Sequence, residues 1–123
     1  LIMKKIIIPS LYLLLLAGCK KGDNTAPTIS ITSPADNQSF PAGTTVHVKA
    51  TITDNVEIHH VHLYVTNANT DAQLLHFEDH VDLGTYNLDQ TFVTQAGISY
   101  KIDIQADDHS GNTGEAVVRV TSN

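Results

Sequence analysis

Three histidines occupy four consecutive positions at His59, His60 and His62, and two more follow at His76 and His80 on either side of Glu78. A neutral imidazole nitrogen is the commonest protein ligand for borderline metal ions, and three or four such donors converging at about 2.0–2.2 Å make a site. This set is rich in nitrogen and contains no thiolate, which suits Zn²⁺ or Cu²⁺ better than the oxygen-seeking Ca²⁺ or Mg²⁺. Whether the rings converge depends on the backbone that carries them.

That backbone reads as strand. In VHLYV the core claims Val61, Leu63 and Val65, so alternation turns His60, His62 and Tyr64 outward. In LLHFEDHVDL the apolar residues Leu75, Phe77, Val81 and Leu83 take odd positions, which places His76, Glu78, His80 and Asp82 together on the other face. Asp79 interrupts this pattern and marks an expected bulge. The intervening TNANTDAQ joins the two runs as a hairpin. His62 then lies opposite His76 or Glu78, and His60 opposite Glu78 or His80, with directly opposed Cβ atoms about 5 Å apart. The expected ligands are His60, His62, His76 and His80, with Glu78 and His109 completing the set. In a sandwich, the loops before the third and last strands share one end, which brings His59 or His109 toward His60 and His80. The competing reading is a solvated sheet face on which histidine is simply tolerated, and that reading prevails for the isolated His47. A pH-sensitive surface ranks below both, because nearby acids blunt the repulsion between protonated rings.

Period-two alternation continues through the chain. Ile29 and Ile31, then Val46, Val48, Ala50 and Ile52, mark two early inward faces; Tyr86, Leu88 and Phe92 mark a middle one. Ile98, Tyr100, Ile102, Ile104 and Ala106, then Ala116, Val118 and Val120, mark the last two. The segments SPADNQSFPAG and DDHSGNTG supply turn residues, and no stretch has helical spacing over two or more turns. About seven short strands predict an all-β antiparallel sandwich. Asp54, Asn55, Asp107, Asp108, Ser110 and Asn112 fall in its polar turns, where such side chains cap backbone N–H groups.

The opening LIMKKIIIPSLYLLLLAG has a basic pair, Lys4 and Lys5, and an apolar run too short to span a bilayer. It is read as a cleaved signal over residues 1–18, with Met3 the expected start. Leu16-Ala17-Gly18-Cys19 resembles the lipobox of bacterial lipoproteins, which implies a diacylglycerol thioether on Cys19 and an acylated amino terminus. Two or more acyl chains anchor stably where one does not. Lys20 after the cysteine resembles outer-membrane sorting. Residues 19–26 then form the lipidated cysteine and a short tether, and residues 27–123 the domain. Cys19 is the one cysteine, so the domain has no internal disulfide. Loss of Lys4 and Lys5 with the signal takes the formal charge from −6 to −8, which argues against nucleic-acid binding.

The segments PTISITSPADNQSFPAG, ITDNVEIHHVHLYV and GISYKIDIQADDHSGN follow one another as in bacterial immunoglobulin-like domains, and residues 26 to 121 resemble that family. More narrowly, the chain is similar to small envelope lipoproteins of Bacteroidota type. The resemblance implies an immunoglobulin-like β-sandwich and a binding or structural role. The paired cysteines and core tryptophan of antibody-type domains are missing. No glycine-framed serine, free catalytic cysteine or phosphate-cradling loop supports catalysis. The reading is a non-enzymatic module anchored to the membrane through Cys19 that captures Zn²⁺ or Cu²⁺. Its alternative is a structural or adhesion module for an envelope protein or glycan, with Tyr64 as the one outward aromatic ring.

Overall fold

The computed structural model describes residues 22–123. The expected signal and Cys19 lie outside the described residues. Six strands follow in order: β1 (Thr28–Ser33), β2 (Gln38–Phe40), β3 (Thr45–Asn67), β4 (Gln73–Val93), β5 (Ser99–Asp108) and β6 (Thr113–Ser122). At 23 and 21 residues, β3 and β4 are far longer than an ordinary strand, because each bends and serves both layers of a sandwich. The first part of β3 pairs with β1 and with the end of β4, from Thr45 opposite Val93 to Thr53 opposite Thr85. Its second part lies between the start of β4 and β5, and β6 continues that layer to β2. The seven expected strands are thus realised as six, two of them folded over.

The alternation read from the sequence accounts for the core. Val48, Ile52, Val61, Leu63, Val65, Ile102 and Ile104 are fully buried. These residues come from both halves of β3 and from β5, so they clamp one layer onto the other. β1 also contacts β5 and β6 across the gap. Gly114 of β6 lies so close to the Pro27 carbonyl that a Cβ there has no room, and the chain entering β1 crosses β6 at that point.

Tyr100 fixes the far corner. It is buried, packs against the tilted ring of Phe92 at a centroid separation of 5.0 Å, and its hydroxyl accepts the Gln95 N–H at 2.7 Å. Gly97, at φ 76°, turns the chain between those two partners. A tyrosine that hydrogen-bonds to backbone a few residues upstream is a recurrent device of such sandwiches. Replacing Tyr100 by Phe leaves the Gln95 N–H without this acceptor, and chemical denaturation is expected to show a loss of about 1–2 kcal/mol.

Candidate metal centre

Ile58 and Val61 are both fully buried although their separation is odd, which a regular strand cannot achieve. The register shows how it is done. On the β5 side Ile58 pairs with Asp108 and His60 with Asp107, so His59 is an extra residue. On the β4 side Ile58 pairs with Leu83 and His60 with His80, so β4 carries an extra residue as well, and Asp82 there adopts φ 53°. The two bulges face one another. Because of the first, consecutive residues project to the same side, and the His59 and His60 rings lie 3.9 Å apart. The Asp107 carboxylate accepts the His60 N–H at 2.9 Å, satisfying a donor next to the extra residue.

The bulge in β4 corrects two expectations. The irregularity lies at Val81–Asp82 and not at Asp79, which stays in register opposite Val61. Asp79 accepts the Tyr86 hydroxyl at 2.9 Å. Loss of solvent, reinforced by that carboxylate, pushes the Tyr86 hydroxyl up to about 12. Leu83, expected inside, is turned out by the bulge and is 61% exposed.

Four imidazoles gather at this pole. The His59 ring lies 4.9 Å from His80 and is stacked at 4.2 Å on His109, while His60 and His80 are 4.9 Å apart. His59, His60 and His80 each offer a ring nitrogen within 4.8 Å of the others. Asp82 bridges two rings, taking His80 Nε2 at 2.7 Å and His109 Nε2 at 2.8 Å. The hydrogen bond from His109, with that from His80, holds the Asp82 carboxyl below its usual range. Partial loss of solvent, then repulsion by His60 and His109, likewise lowers the affinity of the His59 ring for a proton. A ring that resists protonation is available as a ligand near neutral pH.

The six expected donors do not form one patch. His60 and His80 join His59 at the pole; His109 stacks beside them and groups with Glu57 and Asp82. His62, His76 and Glu78 make a separate group further along the hairpin. There His62 is opposite Glu78 and Tyr64 opposite His76, with the Tyr64 and His76 rings parallel at 4.6 Å. The sequence brings His59 toward His60 and His80 but does not place it in the ligand set, and it gives Asp82 no bridging role. The parity conflict between Ile58 and Val61 was the available signal for the first. His47 stands apart on the other half of β3 beside Asp89, as expected.

The bacterial Ig domain model matches residues 27–120, nearly the whole described sandwich. The chain belongs to the bacterial Ig domain family. Among solved structures it is similar to the fibronectin(III)-like modules of Clostridium thermocellum CbhA, at 22% identity and a TM-score of 0.54, covering 77% of this chain and 96% of that one. That likeness concerns the fold. No curated protein matches the chain. Domains of the bacterial Ig family are typically non-catalytic, in keeping with a binding or structural role.

In this bacterial Ig domain Asp108 holds its own turn. Asp108 takes the backbone N–H groups of Ser110 and Asn112, both at 2.9 Å. Burial alone would raise its pKa, but these bonds and the Asn112 side chain hold it below the usual range. Beside the second histidine group the balance is reversed. Asp103 is opposite Tyr64 and largely buried, and Gln105 bridges it to Glu115 through two contacts of 3.3 Å. Burial, and then the neighbouring Glu115, raise the Asp103 pKa. The folded state therefore favours protonated Asp103, a contribution present below the unfolded value of about 3.9 and lost as pH rises through the folded one. Asp103→Asn is expected to raise the melting temperature at pH 7.5 and to give no gain at pH 3, as measured by calorimetric scans.

Proposed function

We propose that this chain is a lipid-anchored, non-catalytic binding module of the bacterial cell envelope that captures Zn²⁺ or Cu²⁺ at its histidine pole. The observation that carries this reading is the convergence of His59, His60 and His80 around paired bulges. Three nitrogen donors with a fourth position open fit either ion. His80 is already hydrogen-bonded through Nε2 to Asp82, which orients the ring and leaves Nδ1 for a metal, and carboxylate partners of this kind strengthen histidine ligands. His109 and Asp82 stand close enough to complete the coordination after side-chain rotation.

The anchor bears on where the site works. Asp23 is tied to the same pole, its side chain accepting from Asn55 at 3.1 Å and its carbonyl from Asn112 at 2.9 Å. Three residues lie between it and Cys19, a span of at most about 14 Å. A lipid on Cys19 thus holds the histidine pole close to the membrane surface, with outer-membrane sorting implied by Lys20.

Calorimetric titration of the full chain in detergent tests the capture. Heat with micromolar affinity for Zn²⁺ or Cu²⁺ is expected at pH 7.5. It should vanish at pH 5, where imidazole is protonated, and fall at least tenfold in affinity in the double variant His60→Ala with His80→Ala. Silence from both metals at pH 7.5 would falsify the reading. For the anchor, Cys19→Ser is expected to move the protein from the membrane fraction to the soluble fraction of lysed cells.

A further inference from the structure

We infer that the group His62, His76 and Glu78 is a second Zn²⁺ site, separate from the pole. The pole can be emptied without touching it, since the two groups share no residue.

The central observation is His62 Nδ1. This atom is shut off from solvent and has no hydrogen-bond partner, an arrangement that a polar atom rarely tolerates. Its nearest acidic neighbour is Glu78 Oε1 at 3.9 Å, beyond hydrogen-bond range. Two donors of one tetrahedral Zn²⁺ with bonds of 2.0–2.2 Å lie about 3.4 Å apart. A closure of roughly 0.5 Å, within the swing of an exposed glutamate side chain, brings both atoms onto one ion. The same closure satisfies the orphaned nitrogen.

His76 supplies the third donor. It sits on β4, whose first half pairs only with β3, so the ring is exposed and free to rotate away from Tyr64. Its nitrogen, the His62 nitrogen and a Glu78 oxygen already lie within 4.8 Å of one another. The His62 and His76 rings are nearly parallel, 10° apart at 5.9 Å. Tyr64 lines the group at 6.0 Å from His62 and keeps that ring upright.

The surroundings favour a cation. On the next strand Gln105 lies opposite His62, and it holds the carboxylates of Asp103 and Glu115 at the edge of the group. Two nitrogens and a carboxylate make a harder donor set than the three imidazoles of the pole, with one position left for water. That set suits Zn²⁺.

Two variants of the full chain in detergent separate this site from the pole. Both are titrated with Zn²⁺ alone, with circular dichroism to confirm the fold. The triple variant His59→Ala, His60→Ala, His80→Ala is expected to retain one Zn²⁺ equivalent. In that background Glu78→Gln should weaken binding at least tenfold and His62→Asn should abolish it. If the triple variant binds no Zn²⁺, or binds it unchanged after His62→Asn, the second site is overturned. The reciprocal variant, His62→Asn with His76→Asn, reports on the pole alone: loss of all Zn²⁺ there removes the pole and leaves the second site standing. Imidazole ¹⁵N shifts of His62 Nδ1 on Zn²⁺ addition give an independent readout, and an unmoved resonance at saturation counts against the assignment.

Discussion

The histidine pole depends on one packing conflict in β3. Ile58 and Val61 must both reach the core, and an unbroken strand would send one of them into solvent. The chain resolves this by inserting His59 as an extra residue, and β4 matches it with an extra residue at Val81–Asp82. Hydrophobic burial of two aliphatic side chains is worth a few kcal/mol in all, far more than a local break in the ladder costs when Asp107 supplies a replacement acceptor. The bulge is therefore held by the core, and the rings above it inherit that rigidity.

Much of this was legible from alternation. The inward faces of β3, β5 and β6 and the outward direction of His60, His62, His76 and His80 follow from period two. The short hairpin loop left two registers open, and the structure takes the one that pairs His60 with His80 and His62 with Glu78. What alternation does not show is where it fails. Asp79 looked irregular because it is charged, yet a hydroxyl from Tyr86, seven residues on, lets it stay in register. Asp82 looked regular and is not, since its positive φ depends on the matching bulge across the pair. The strand count differed for a similar reason: bends at Asp54–Glu57 and near Gly84 lack the Pro or Asn-Gly signals of a chain reversal, so β3 and β4 run through them.

Without a disulfide in the described residues, the sandwich relies on its buried aliphatic layer and on a few polar fastenings at its ends. Tyr100 closes one end against Gln95, and Asp108 closes the other by gathering Ser110 and Asn112. The second fastening shares the histidine pole and also ties down Asp23 through Asn112. Asp23, the β5–β6 turn and the bulged histidines are thus one connected structure.

The outer face also sorts its charges by position. Moving along the hairpin from the pole, each rung carries imidazole beside carboxylate: His80 and His60 with Asp107, then Glu78 and His62 with Gln105 and Glu115, then His76 and Tyr64 with Asp103. A face whose histidines served only to fill solvated positions has no need for this interleaving, since threonine or lysine would serve equally well on a strand. Alternating donors of two kinds do have one physical consequence. They leave some polar atoms of this face without a hydrogen-bond partner, as the buried Nδ1 of His62 shows. A surface with an unpartnered ring nitrogen of this kind is satisfied by protonation or by a cation from solution. At the neighbouring pole, loss of solvent and then repulsion by His60 and His109 lower the proton affinity of His59, which works against the first route there and leaves the second open.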